Sequence, residues 1–197
     1  MPDHIFGDRE KAMEEAFFRQ EDARLLEKLR QKAGFDEIAL ALGEKLQVDN
    51  PKLLQRVRDA GISLDTAPAL FLAPLVQVAW AGGVAKGEHD TVLRIARERG
   101  IETDSPAYAQ LEEWLRVRPA DELFELAVAV IKYGLSVLTP AEKEERIQRI
   151  VDACRETAKA SQTKMLWVLG LFDSVTSSEE SVLDTITAKL RRPERSS

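Results

Sequence analysis

Three five-residue stretches, VAKGE at 84–88, LTPAE at 138–142 and VTSSE at 175–179, share one pattern. An aliphatic residue is followed by a small residue, two spacers and a glutamate that opens an amphipathic segment. In the second and third stretches the pattern is a capping box. Thr139 or Thr176 accepts from the amide three residues on, while Glu142 or Glu179 reaches back to the cap's own amide. Leu138 and Val175 stand just before the cap, where a hydrophobic staple packs. Each stretch also follows a mostly apolar segment, over 66–81, 121–137 and 163–172. A chain that repeats apolar helix, capped corner and outer amphipathic helix three times is constrained to a compact bundle of helical hairpins. No segment alternates with period two over the length of a strand, so the fold class expected is all-α, with about 8–10 helices.

Local signals place the other helices. In VDNPKLLQRVRDAGI, Asn50 is the cap, Pro51 takes the first helical position, Leu53, Leu54 and Val57 share a face, and Gly61 stops the helix. Ser105 and Pro106 play the same parts before Leu111, Trp114 and Leu115, and Pro119 separates that helix from ADELFELAVAVIKYGLSVL. Between them, Val92, Leu93, Ile95 and Ala96 form the inner side of a helix that ends at Gly100. The stretch 66–82 has no charged residue, but its 17 residues are at the low end for a bilayer and are interrupted by Pro68, Pro74 and Gln77. A buried core helix is the expectation, with Pro74 kinking it or marking its true start.

The chain has 197 residues, enough to bury a core without disulfides or metals as staples. Its 28 Lys and Arg against 34 Asp and Glu give a net charge of -6, which argues against nucleic acid or anionic lipid as a general partner. Cys154 is the only cysteine, so no intramolecular disulfide forms and a reducing, cytoplasmic setting is expected. The opening MPDHIFGDRE has no apolar run behind it and does not read as a secretory signal. Residues 1–33 hold 15 charged residues, read as a solvated amphipathic helical arm. Residues 34–190 are the helical domain, and 191–197, RRPERSS, a disordered tail.

The glycine-rich turn in VAWAGGVAKGEHDTVL, with Gly82, Gly83, Gly87, Glu88 and Asp90, invites a chemical reading. A phosphate loop needs a preceding strand and Gly-Lys-Ser or Gly-Lys-Thr; here Lys86 precedes Gly87 and Glu88 follows it. A calcium loop needs oxygen ligands at alternate positions, which this turn lacks. A metal site would require the first and third corners to meet, joining Glu88 and Asp90 to Asp173 and Glu179. Helix capping is the favoured reading of these acids. His4 and His89 have no nucleophile or orienting partner. Cys154 shares the inner face of its helix with Ile147, Ile150 and Val151, and Trp80, Trp114 and Trp167 lie on apolar faces. No catalytic constellation and no cofactor are expected.

The turn AWAGGVAKGEHDTVL resembles the motif of the tellurite-resistance TerB-like proteins, roughly Ala-Asp-Gly-x-Val-Ser-x-x-Glu. Gly82, Val84 and Glu88 match it. The family's aspartate falls on Ala81, and on Leu135 and Phe172 in the other two copies, so no copy supplies the acid on which that family's metal site rests. The resemblance covers about residues 62–190 and implies an all-helical domain. A second stretch, IFGDREKAMEEAFFRQEDA at 5–23, is similar to the start of the alpha-proteobacterial ATP synthase inhibitor proteins of the zeta type. Phe6, Asp8, Arg9, Glu10, Lys11, Ala12, Glu14 and Phe18 fit that pattern. It implies an arm that docks on a rotary ATPase, with Phe6, Arg9, Phe17 and Phe18 as contact residues. The expected function is that of a non-enzymatic, TerB-like protein that binds another protein or a second copy of itself in a stress or tellurite-resistance type response. The alternatives are an ATPase inhibitor acting through the arm and a divalent-metal-responsive module.

Overall fold

The computed structural model describes residues 45–46, 48–83, 86–160 and 176–192. All of them belong to one unit, Leu42–Ser197, separate from Met1–Ala41. The arm at 1–33, His4, Trp167, Asp173, Val175, the apolar segment 163–172 and residues 193–197 of the tail lie outside the described residues. Those described form helices and no strand: α1 (Pro51–Asp59), a 3₁₀ segment (Ala67–Leu72), α2 (Ala73–Gly82), α3 (Lys86–Glu98), α4 (Pro106–Arg116), α5 (Asp121–Ser136), α6 (Pro140–Lys159) and α7 (Ser177–Arg191).

The caps form as the local sequence dictates. The Leu53 amide donates to Asn50 Oδ1 at 3.1 Å and the Tyr108 amide to Ser105 Oγ at 3.2 Å, so α1 and α4 each satisfy one of their orphan first-turn donors. Gly61, Gly83 and Gly100 follow α1, α2 and α3 with positive φ, a conformation that costs a residue with a Cβ. The uncharged stretch is not one continuous α-helix. Pro74 has no N–H with which to continue an i to i−4 ladder, so Ala67–Leu72 winds as 3₁₀ and the α-helix starts beside the proline, as α2.

α2 is the axis of the bundle. It packs against α4, α5, α6 and α7, and Ala73, Pro74, Leu75, Val76, Val78 and Ala79 are all buried. That enclosure explains a helix with no charge on any side. Among the described residues no helix is long and apolar enough to cross a membrane. The outer helices turn one stripe inward: Val92, Leu93, Ile95 and Ala96 from α3, Ile147, Val151, Cys154 and Ala158 from α6, and Leu183, Ile186 and Leu190 from α7. Trp114 is buried, and Trp80, partly buried, donates its indole N–H to the Trp114 carbonyl at 2.8 Å, which ties α2 to α4. Both tryptophans thus pack into the core, and the indole N–H of Trp80 is satisfied.

Candidate functional site

Four helix ends converge around Gly82, the last residue of α2. A methyl group built on its Cα would overlap Glu179 Oε1 from the start of α7 and stand 2.7 Å from Glu88 Oε1 in the first turn of α3. Since one point lies within 2.7 Å of both oxygens, they are less than twice that distance apart. On the neighbouring residue, a methyl group on Gly87 would overlap the Ala160 carbonyl oxygen at the end of α6. Two helix starts and two helix ends therefore meet, and only glycine at 82 and 87 permits the approach.

Both glutamates are completely buried. Their burial follows from register. Glu179 precedes Leu183, Ile186 and Leu190 at spacings of four, seven and eleven, so it heads the inward stripe of α7. Glu88 heads the stripe Val92, Ile95 and Ala96 of α3 in the same way. Glu142 stands five residues before Ile147, off the inward stripe of α6, and is exposed.

The second and third corners are the same capping box in two environments. At the second, the Thr139 amide and hydroxyl donate to Glu142 Oε2 at 2.9 and 2.7 Å, and the Glu142 amide donates back to Thr139 Oγ1 at 3.4 Å. The hydroxyl first, then the amide, hold the Glu142 carboxyl below the usual carboxylate range. At the third, the Thr176 amide and hydroxyl donate to Glu179 Oε2 at 2.7 and 2.8 Å, and the Glu179 amide donates back at 3.3 Å. The capping box therefore uses one oxygen of Glu179. The other, Oε1, is buried and accepts no hydrogen bond among the described residues.

A buried carboxylate oxygen without a donor is costly, and a second carboxylate facing it adds repulsion unless a proton or a cation lies between them. The donor set is hard oxygen, which suits calcium, magnesium or manganese rather than a soft metal. No third His, Cys, Asp or Glu joins the pair among the described residues. Further ligands to a cation would then be backbone carbonyls or water. Asp90 is exposed, 3.8 Å from His89 Nδ1. Of the four acids considered from the sequence, the structure brings together Glu88 and Glu179; Asp90 stays at the surface, and Asp173 is outside the described residues.

Thr176→Ala should destabilise the protein by about 0.5–2 kcal/mol through the lost cap, measured by chemical denaturation. Cys154 is fully buried on the inner face of α6, and desolvation pushes its thiol up from 9.0 to about 12 against the opposing pull of Arg99 and Arg155. Because burial favours the protonated thiol, its contribution to stability is complete below the ordinary thiol pKa and is lost as pH rises towards 12. Native protein at pH 8 should therefore resist alkylation that the unfolded chain undergoes readily, a difference that mass spectrometry reads directly.

Compared with protein-family models, with curated proteins and with solved structures, the chain matches none.

Proposed function

We propose that this chain is a non-catalytic helical module that takes up a divalent cation between Glu88 and Glu179. The observation that carries the reading is Glu179 Oε1, a buried carboxylate oxygen with no hydrogen-bond donor among the described residues, aimed at the spot that Glu88 Oε1 also faces. Glu88 and Glu179 would hold the ion, and the ion would supply the positive charge that lets two carboxylates share this space. No chemistry on a substrate is assigned to it. The resemblance of the first corner to the TerB-like motif supports a helical domain of this kind, with a paired glutamate in place of that family's aspartate. The first 33 residues, with Phe6, Arg9, Phe17 and Phe18, are the part of the chain we assign to contact with a protein partner.

Two carboxylates make a site of low charge, which belongs at the weak end of calcium affinities, a Kd of about 10⁻⁴ to 10⁻³ M. At ten times Kd a bound ion stabilises the fold by about 1.4 kcal/mol. The test is calorimetry and thermal unfolding of chelator-stripped protein in calcium, manganese or magnesium chloride at matched ionic strength. A saturable heat with a rise in Tm, both lost in Glu179→Gln, is expected. No heat and no shift with any of the three ions would make the pair a buried helix corner and end the proposal.

A further inference from the structure

We infer that Thr176 is the positioning residue of this site, and that the capping box of α7 serves as its outer shell rather than as a helix cap alone. The inference rests on the cation reading above and goes beyond it, because it assigns a role to a residue that would never touch the ion. A glutamate carboxylate, on two methylenes, has several rotamers, and only some aim an oxygen at Glu88. Both Thr176 donors converge on Glu179 Oε2, at 2.7 and 2.8 Å. With Oε2 fixed between amide and hydroxyl, the plane of the carboxylate is set, and Oε1 is directed inward under Gly82. Hydrogen-bonded partners of this kind orient metal ligands, and their loss commonly weakens metal binding by 10–100-fold.

The molecule contains its own control. Thr139 and Glu142 repeat the same three hydrogen bonds at the start of α6, with the carboxylate exposed to solvent. Replacing either threonine by valine removes a hydroxyl and keeps the amide, the shape and the branching at Cβ. If the threonines act only as caps, neither Thr139→Val nor Thr176→Val should alter cation affinity. If Thr176 positions Glu179, only its replacement alters cation affinity.

The experiment is calcium calorimetry on four full-length proteins: native, Thr139→Val, Thr176→Val and Thr176→Ser. Far-UV circular dichroism confirms that each is folded at the titration temperature. Thr176→Val is expected to weaken calcium binding by roughly 10-fold or more. Thr139→Val should leave it unchanged, and Thr176→Ser, which keeps the hydroxyl, should restore it to within about threefold of native. Native affinity in Thr176→Val overturns the positioning role and leaves the cation reading standing. Equal weakening in both valine variants also overturns it, because the effect is then general to helix caps. Absence of calcium binding to the native protein overturns the cation reading and this inference together. Should Thr176→Val fail to fold, Thr176→Ser against Thr176→Asn decides the matter. Asparagine caps the helix but cannot reproduce the hydroxyl's geometry, so native affinity in that variant would overturn the role.

Discussion

Gly87→Ala should destabilise the bundle by about 3 kcal/mol, at the upper end of the range for overpacking in a rigid interior, and lower Tm by roughly 10 °C. Intrinsic propensity argues the other way. Gly87 lies within α3, where alanine in place of glycine is ordinarily worth about 1 kcal/mol in favour of the helix. Sterics decide the sign. The added methyl would overlap the Ala160 carbonyl oxygen and stand 3.1 Å from its carbon, and both are backbone atoms at the end of α6. A side chain could rotate away, whereas a helix terminus moves only with the helix behind it. α6 packs on α2, α3 and α7, so the shift would be carried into the centre of the bundle. Gly134 in α5 provides the comparison, since nothing lies within 4 Å of the same methyl there. Gly134→Ala should raise stability by about 0.4–1 kcal/mol. Thermal unfolding of the two variants beside native protein separates packing from propensity. Equal effects would mean that α6 does not press on Gly87.

What the sequence discloses and what it hides divide along the range of the interactions. Asn50, Ser105, Thr139 and Thr176 were readable as caps because each bond closes within three residues, and the structure forms all four. Leu53, Leu54, Val57, Leu111, Trp114, Leu115 and Cys154 were readable as core because their period reports one helix face, and all are buried. The 3₁₀ segment before α2 was half legible: Pro74 announces a break, but its form depends on the packing of Ala67, Ala69 and Leu70, which are buried too. The meeting of Glu88 with Glu179 spans 91 positions, and no local pattern states which corners of a bundle touch. A sequence signal did exist. Both glutamates stand at the head of an apolar stripe, four residues before Val92 and Leu183, whereas Glu142 is out of phase with Ile147. The five-residue pattern that the three corners share does not carry that phase difference. A charged residue in phase with a core stripe is the pattern that marks burial, and burial is what separates the third corner from the second.

Gly82→Ala tests the site from the side opposite to the carboxylates, and it should abolish the calcium response while the protein remains folded. Gly82 ends α2 without a positive φ, so its backbone accepts alanine, and the methyl's neighbours set the outcome. These are Glu179 Oε1, Glu179 Cδ at 3.0 Å and Glu88 Oε1 at 2.7 Å. Glu179 cannot swing aside without giving up the Thr176 bonds to Oε2, so relief of the overlap breaks the capping box of α7. The expected cost in chelator is about 1–3 kcal/mol, with no further stabilisation on adding calcium. Gly83→Ala controls for the position. That residue holds φ at +97° with nothing within 4 Å of the added methyl, so it should lose about 1–2 kcal/mol to backbone strain and keep its calcium response. A double-mutant cycle completes the argument. If the damage in Gly82→Ala arises from displaced carboxylates, then adding Glu179→Ala should make the second substitution cost less than it does alone, by about 0.5–3 kcal/mol of coupling. Additive effects would place the strain elsewhere in the corner and remove Gly82 from the site, leaving the approach of α3 to α6 at Gly87 as the reason for glycine in this turn.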